Sequence, residues 1–297
     1  MSERVVSRTV LGAVLGCAAF LSATTMASAQ AQSDTQSLVP KSIRDRGTIR
    51  VGSQQTFPPV EFREPGKNEV VGVSADLLHE IARRLNLKIE YVHGEYAALI
   101  PGIDAERFDV ASGGISDTEE REQVLDFINY MMSGGSILVR SENASQYKAI
   151  DDFCGKSVAT LLGSRVIMAA VESASKKCTD GGKQPIQAAQ LPNAPDARMQ
   201  LDLKRVEGYL GDFPALVYMS TQFPGRYAIA GGNYILTPYV TSWGFSKKNT
   251  QLRDAMHKAA QSMLEDGTYK KILAKWGVDG AALPSISINL PSSKRSS

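Results

Sequence analysis

Two patterns of hydrophobic residues alternate along this chain. In short stretches a hydrophobic residue occupies every second position, and in others hydrophobic residues recur every three or four positions. The first pattern predicts half-buried strands and the second predicts amphipathic helices. In the first part of the chain the predicted elements are a strand at 48–53, a helix capped by Ser74, a strand at 87–92, a helix at 97–105 and a strand at 108–111. This strand–helix–strand–helix order predicts an α/β domain with a mainly parallel sheet.

The same order begins again in the middle of the chain. Strands are predicted at 157–161, 185–188 and 209–211, and helices follow them at 165–175, 196–205 and 215–222. An extended stretch at 240–246, a long amphipathic helix ended by Gly267 and a last helix at 269–276 complete the pattern. Two consecutive α/β units predict two lobes that enclose a cleft, because ligands of open α/β sheets bind beyond the carboxyl ends of the strands.

The longest hydrophobic run, at 10–23, lies close to the first residue. Arg4 and Arg8 precede this run, and a small-x-small site at 27–29 follows it, so the order predicts a secretory signal peptide over residues 1–29. The run is too short for a comfortable membrane span. A buried N-terminal helix is the alternative to a signal peptide. Residues 14–17 weakly resemble a lipoprotein cleavage box, so a lipid anchor at Cys17 is a second alternative. We expect export to the periplasm or another extracytoplasmic compartment.

The composition is that of an ordinary globular protein, with 43% hydrophobic and 22% charged residues. Lys and Arg (33) nearly balance Asp and Glu (31), which argues against the concentrated basic surface of a nucleic-acid-binding protein. The three histidines show no metal-ligand spacing with one another or with the cysteines. We therefore expect no nucleic-acid partner, no metal and no cofactor.

Cys154 and Cys178 remain once the predicted signal peptide is removed. Two cysteines in an exported chain predict one disulfide, and two buried free thiols are the alternative. Cys154 precedes the first predicted strand of the second unit, and Cys178 follows the first helix of that unit. A helix that returns antiparallel to the strand brings these two ends together.

A candidate anion site follows the predicted strand at 108–111. Glycines at 113 and 114 form a turn ahead of a predicted helix start, where free backbone N–H groups bind anions. Ser116 and Glu119 fit a capping box, and the planar guanidinium of Arg121 matches a carboxylate. The alternative is a capped helix with Arg121 on the surface.

Several segments, in their order and spacing, resemble the periplasmic amino-acid-binding proteins of ABC-type importers, known as extracellular solute-binding protein family 3. These segments are IRVG at 49–52, FPPVEF at 57–62, GVSADL at 72–77, YAALIP at 96–101, FDV at 108–110, SDTEER at 116–121, FINY at 127–130, GKSV at 155–158, GS at 163–164, RVE at 205–207 with Asp212, EDGTY at 265–269 and KWG at 275–277. The resemblance implies a two-lobed periplasmic binding protein fold with a hinge, each lobe a mainly parallel sheet flanked by helices.

We expect the folded part of the chain to be divided between these lobes in three segments. Lobe 1 is expected to be discontinuous, with residues 48–140 and 238–283, and lobe 2 to contain residues 141–237. The polar segment 30–47 is expected to be flexible, and the Ser- and Pro-rich tail 284–297 is expected to be disordered.

The resemblance also implies the ligand contacts of lobe 1. Arg121 matches the arginine that pairs with the ligand α-carboxylate, Ser116 matches the hydroxyl beside it, and Gly114 offers a backbone contact. Phe57 and Tyr96 match the aromatic walls that flank the ligand side chain.

In lobe 2, the resemblance gives Asp212 the role of accepting the ligand α-ammonium, although Asp212 also fits the cap of the following helix. Gly163 and Ser164 match a helix-start turn that meets the carboxylate. In relatives that bind histidine, lysine or arginine, an acid occupies the place of Gln54. We therefore expect a neutral polar ligand side chain ahead of an acidic one and a basic one last. Gln54 and Arg165 are candidates for contacting the ligand side chain. The alternative for Arg165 is that its side chain points to solvent.

These observations lead us to expect a monomeric protein that binds a small amino acid or amino acid-like solute in an interlobe cleft and delivers it to the transmembrane subunits of an ABC permease. No catalytic residue is expected. One alternative is an exported enzyme on the same scaffold that resembles cyclohexadienyl dehydratases, with Glu61 or Glu95 as the general acid. A periplasmic sensor domain is another alternative.

Overall fold

A computed structural model describes residues 38–64, 66–232 and 235–294. The expected signal peptide over 1–29 and Cys17 lie outside the described residues. The strands are β1 (Thr48–Ser53), β2 (Thr56–Phe57), β3 (Glu61–Arg63), β4 (Val70–Val71), β5 (Lys88–His93), β6 (Val110–Ser116), β7 (Leu125–Arg140), β8 (Ser157–Leu161), β9 (Gln187–Leu191), β10 (Gly208–Asp212), β11 (Tyr227–Ile229), β12 (Thr237–Ser246) and β13 (Ser287–Ile288).

The helices are α1 (Lys41–Arg46), α2 (Val73–Arg84), α3 (Tyr96–Asp104), α4 (Arg165–Asp180), α5 (Ala194–Asp202), α6 (Phe213–Gln222), α7 (Thr250–Glu265) and α8 (Thr268–Lys275). Short 3-10 turns lie at Arg121–Gln123, Ser141–Asn143, Ile150–Phe153, Asp279–Ala281 and Ser292–Lys294. Among the described residues, no helix combines the length and the hydrophobicity that crossing a membrane requires.

One sheet runs through the molecule in the strand order β5-β1-β6-β12-β7-β10-β8-β9. The β5-β1-β6 strands at one side are parallel to each other, and so are the β10-β8-β9 strands at the other. Between them β12 and β7 form an antiparallel pair. The fold is therefore a two-lobed α/β architecture, as expected, in which each lobe has a mainly parallel sheet flanked by helices.

Strand β7 connects the hydrophobic cores of the two lobes. Its early residues Ile128 and Tyr130 belong to the core that also contains the buried faces of α2 and α7. Its late residues Ile137 and Val139 belong to the core around β8 and α4. The sequence analysis did not predict this 16-residue strand, because its two halves are buried against different cores and show neither regular period.

The predicted amphipathic helices pack as their sequence pattern requires. The α7 residues Leu252, Met256, Ala259, Ala260 and Met263 are buried on one face of the helix. Gly267, with a φ of 79°, follows the end of α7 in the left-handed conformation that the predicted cap needs. The expected cap at Ser74 is wrong. Gly72 precedes α2, and the Ser74 hydroxyl is buried, where it accepts from the Trp243 indole N–H.

The predicted disulfide is confirmed in lobe 2. Cys154 and Cys178 are bonded, with their Cα atoms 5.6 Å apart. The bond joins the segment before β8 to the last turn of α4, and the Cys178 side chain lies in the core with Val158 and Val171. The helix returns antiparallel to the strand, which is the reason these two ends meet.

Two expectations about flexible segments need correction for the part of each segment that the structure describes. The segment 30–47 was expected to be flexible, but within 38–47 Val39 and the α1 residue Ile43 are buried in the core of lobe 1. The tail 284–297 was expected to be disordered, but within 284–294 Ile286 is buried in the same core and β13 pairs with β7. Both segments contain hydrophobic residues that the polar composition around them concealed.

Candidate functional site

Strand β6 places Gly114 directly against Phe57. Gly113 and Gly114 both have positive φ, of 93° and 87°, and a Cβ atom on Gly114 would lie 2.6 Å from Cε1 of Phe57. Glycine is therefore required for the buried Phe57 ring to cover this strand. The expected glycine-rich turn followed by a capped helix is wrong. Ser116 still belongs to β6, and only the 3-10 turn that begins at Arg121 follows.

Arg121 is buried, with 6% of its surface exposed, and its guanidinium bridges the two lobes. Nη1 donates to the carbonyl oxygen and the hydroxyl of Ser116, at 2.8 and 2.7 Å. Nη2 donates to the carbonyl oxygen of Gly163, at 3.0 Å. No carboxylate within the described ranges forms an ion pair with Arg121. Because an unpaired buried charge is costly, this guanidinium is suited to bind an anion. The reading of Arg121 as a surface residue is wrong.

Asp212 lies at the end of β10 and is buried, with 4% of its surface exposed. Its Oδ1 accepts from the Ser133 hydroxyl, and the Tyr239 side chain interacts with the same carboxylate and favours its ionised form. Oδ2 has no hydrogen-bond partner in the part of the chain that the structure describes. Burial raises the pKa of Asp212 to about 7. Its side chain does not cap α6, so the alternative role as a helix cap is wrong.

Ser133 and Tyr239 were missed by the sequence analysis. They are register partners on the neighbouring strands β7 and β12, and this pairing brings the Ser133 hydroxyl to Asp212 and places Tyr239 beside it. Neither residue lies in a recognisable motif. Only the pairing of two strands more than a hundred positions apart places them together, and no local sequence signal reports that pairing.

The mouth of the cleft is a cavity of about 530 Å³ between the lobes, lined by Tyr96, Ala97, Ile100, Pro101, Ile115, Glu120, Arg121, Gln123, Val124, Gly163 and Arg165. Gly163 packs closely against lobe 1, because a Cβ on Gly163 would lie 3.2 Å from Cα of Ala97. Ser164 precedes α4 and makes no side-chain cap hydrogen bond.

Arg165 is largely exposed to solvent, as the alternative reading expected, and it also borders the cavity. It reaches from lobe 2 to Glu120 of lobe 1 at 3.4 Å, and both side chains are largely exposed, at 69% and 63%. The pair therefore forms a weak ionic contact across the mouth of the cleft.

Gln54 directly follows β1 and lies next to Gly113 of β6. It is 1% exposed, and its Cγ atom lies 3.7 Å from the position that a Cβ on Gly113 would take. Its Nε2 and Oε1 atoms are buried without hydrogen-bond partners among the described residues.

The two carboxylates considered as general acids lie in different surroundings. Glu61 is fully buried and accepts from the Ser112 hydroxyl at 2.8 Å, and burial raises its pKa to about 7. Glu95 is half exposed and lies 3.9 Å from the imidazole of His93. Neither residue lines the cavity between the lobes.

Comparison with known proteins agrees with this architecture. Residues 49–279 match the sequence profile of the bacterial extracellular solute-binding proteins, family 3. The arginine-binding protein ArgT of Corynebacterium glutamicum is 26% identical over 257 residues, which cover 86% of this chain and 83% of ArgT. The histidine-binding periplasmic protein of Escherichia coli K12 is 28% identical over 236 residues, which cover 77% of this chain and 86% of that protein.

A solved structure with a similar fold is that of the ancestral amino acid-binding protein AncCDT-1, a precursor of cyclohexadienyl dehydratase. It superposes with a TM-score of 0.70 at 25% identity, covering 79% of this chain and 97% of AncCDT-1. The curated relatives described above are binding proteins and not enzymes. The chain belongs to the bacterial extracellular solute-binding proteins, family 3, and it is a binding protein rather than an enzyme.

Proposed function

We propose that this protein binds an amino acid between Arg121 and Asp212 and delivers it, as a monomer, to the transmembrane subunits of an ABC-type permease. The proposal rests on two buried charged side chains that each lack an interaction partner. Arg121 has no carboxylate partner among the described residues, and Asp212 has one carboxylate oxygen without a hydrogen-bond partner there. An α-carboxylate and an α-ammonium group would complete the two sites.

A zwitterion suits this arrangement because each of its charges needs a partner once it leaves water. An unpaired buried charge is costly, so a ligand that carried only one charge would leave Arg121 or Asp212 uncompensated. Arg121 belongs to lobe 1 and Asp212 to lobe 2. Both ligand charges are therefore satisfied only when the lobes are together, and the ligand stabilises that arrangement.

The same proposal includes Phe57 and Tyr96 as side-chain contacts, with Gly114, Ser116, Gly163 and Ser164 beside the carboxylate. The two named relatives bind arginine and histidine according to their names, which supports an amino acid as the ligand. Their class also supports export of the mature chain and delivery to a permease. We further propose residues 48–140 and 238–283 as lobe 1 and residues 141–237 as lobe 2, with β7 and β12 as the connection between them.

Isothermal titration calorimetry of the mature protein against the common L-amino acids tests the proposal. At least one is expected to bind, and its N-acetyl and its carboxamide derivatives are expected not to, because each derivative lacks one of the two charges. The variants Arg121→Gln and Asp212→Asn are expected to lose about 2–5 kcal/mol of binding free energy. Arg83→Gln, which changes an exposed arginine paired with Glu80, is the control. Equal binding of the parent and its N-acetyl derivative would contradict the proposal.

A further inference from the structure

The last described residues of the chain, 284–294, form a C-terminal segment that packs along the start of β7. Its residue Ile286 is buried in the core of lobe 1, and its strand β13 pairs with β7. The side chain of Asn289 adds two hydrogen bonds. Its Oδ1 accepts from the backbone N–H of Phe127 at 2.8 Å, and its Nδ2 donates to Asp126 at 2.9 Å. The C-terminal segment is therefore anchored on lobe 1 beside the turn that precedes β7.

The end of the C-terminal segment contacts two acids that flank Arg121 in the sequence. Glu119 Oε1 accepts from the Ser293 hydroxyl at 2.6 Å. Glu122 Oε2 accepts from Nζ of Lys294 at 2.7 Å, and the Glu122 side chain is only 12% exposed. Arg121 lines the cavity between the lobes, whereas neither of the two acids does. The C-terminal segment thus holds both carboxylates outside the lining that contains the guanidinium.

The affinity of Arg121 for a ligand depends on which other carboxylates can reach it. A buried guanidinium without an ionic partner attracts any carboxylate nearby, and the resulting pair is strong. Neighbouring residues can form such a pair in this fold, because Arg253 donates from Nη2 to Asp254 at 2.7 Å. Glu119 or Glu122, once released, would therefore compete with the ligand carboxylate for the same cation. The C-terminal segment gives both acids another partner.

A third acid, Asp117, adds to the negative charge beside Lys294. Burial raises the pKa of Asp117 to about 6, the nearby Glu122 carboxylate also raises it, and Lys294 lowers it. The pKa of Lys294 is itself raised, first by its hydrogen bond to Glu122 and further by the charges of Glu119 and Asp117. This group of acids therefore favours the charged form of Lys294, and Lys294 in turn favours their ionised, engaged state.

We propose that the C-terminal segment keeps Arg121 available for the ligand carboxylate by engaging Glu119 and Glu122. Ser293 and Lys294 are the positioning residues that do so, and neither is assigned a contact with the ligand. The inference rests on the proposed function, which assigns the ligand carboxylate to Arg121. The family profile ends at residue 279, so the C-terminal segment lies beyond the part of the chain that the profile describes.

Calorimetry with the L-amino acid that the native mature protein binds most tightly tests the inference. The Ser293→Ala, Lys294→Gln double variant is expected to bind about fivefold more weakly, because the released acids compete for Arg121. Lys176→Gln is the matched control, since Lys176 is an exposed lysine of lobe 2 that also has a carboxylate oxygen at 2.7 Å. Equal Kd values for the native chain and the double variant would overturn the inference and leave the proposed function intact. Absence of binding by every common L-amino acid to the native chain would overturn both.

Neutralising the two acids shows whether competition is the cause. The Glu119→Gln, Glu122→Gln variant is expected to bind at least as tightly as the native chain, because a neutral amide forms no ion pair with a guanidinium. Adding Ser293→Ala and Lys294→Gln to this variant is expected to leave its Kd within about twofold, since no acid remains to be released. A loss of affinity in the Glu119→Gln, Glu122→Gln variant, at an unchanged melting temperature, would overturn the inference, because the C-terminal segment would then act by holding the backbone alone.

Discussion

Arg121 of lobe 1 donates from Nη2 to the carbonyl oxygen of Gly163 in lobe 2, at 3.0 Å. The buried guanidinium thus holds a lobe 2 backbone atom beside the position assigned to the ligand carboxylate. Gly163 can approach because it has no side chain, since a Cβ there would lie 3.2 Å from Cα of Ala97. The same two residues therefore form the contact between the lobes and the proposed anion site.

Substitution of Gly163 by alanine is expected to weaken amino acid binding about tenfold, because the added Cβ presses on the lobe 1 backbone when the lobes meet. Gly182→Ala is the matched control. Gly182 also has a positive φ, of 74°, but nothing lies within 4 Å of its Cβ position. Both variants are expected to lose about 1 kcal/mol of unfolding free energy to backbone strain. Only Gly163→Ala is expected to change the Kd in calorimetry, and equal Kd values for the two variants would contradict the close contact.

The Arg165–Glu120 pair is expected to contribute to ligand affinity rather than to folding stability, because it forms across the lobes. A double-mutant cycle with Arg165→Gln and Glu120→Gln is expected to give a coupling below about 1 kcal/mol in the binding free energy. The coupling is expected to fall further at high salt, since both side chains are exposed. A coupling that appears in urea unfolding and is absent from the Kd would argue against a contact that depends on closure.

Amino acid binding is expected to release a proton near neutral pH. Burial raises the pKa of Asp212 to about 7 in the free protein, and the ligand ammonium favours the ionised carboxylate. The affinity is therefore expected to fall about tenfold between pH 8 and pH 6, as Asp212 becomes protonated. Calorimetry at pH 7 in buffers of different ionisation enthalpy is expected to give about half a proton released per ligand bound. Asp212→Asn is expected to abolish the release, and a proton release that survives this substitution would assign it to another group.

Glu61 is expected to make the free energy of unfolding depend on pH in the opposite way to an ordinary surface carboxylate. Its pKa is raised to about 7 by burial, so its neutral form stabilises the folded state at low pH. This contribution is lost as the pH rises through 7, and it changes by about 2–3 kcal/mol between pH 5 and pH 8. Glu61→Gln, which keeps a neutral side chain throughout, is expected to gain stability relative to the native chain as the pH rises. Parallel curves of unfolding free energy against pH would contradict the assignment.

Loss of the Cys154–Cys178 bond is expected to lower the free energy of unfolding by about 3 kcal/mol, the value that chain entropy gives for a loop of this size. Urea unfolding of the Cys154→Ser, Cys178→Ser double variant measures the loss. The Kd for the amino acid is expected to be unchanged, since the bond lies in the core of lobe 2 and neither cysteine lines the cleft. A weakened Kd at full folding would show that the bond also shapes the site.

Local patterns were enough to predict most helices and the parallel strands. Helix α7 was recognisable because its hydrophobic face is buried against one core and its end is marked by Gly267. Strand β7 was not recognisable, because both of its halves are buried on both sides. The helix expected after Ser116 failed for a different reason. The Ser–Glu spacing fits a cap, but Glu119 is turned away to accept from Ser293 near the end of the chain.

Site residues that belong to a sequence motif were predicted. Site residues that only strand pairing brings together were not. The resemblance supplied Arg121, and the structure adds that its buried guanidinium is fixed by Ser116. Ser133 and Tyr239 meet at Asp212 only through the register of β7 and β12. Such a register depends on the whole sheet, so no short segment of sequence encodes it.

The place of β12 in the sheet has a consequence for the order in which the chain can fold. This strand, at Thr237–Ser246, lies between β6 and β7, which are both complete by Arg140. The central position of the sheet is therefore filled by a segment synthesised roughly a hundred residues later, and pairings between such distant segments form slowly. Lobe 1 cannot close its sheet on a partly synthesised chain. Residues up to Arg140 alone therefore leave β6 and β7 without the strand that joins them.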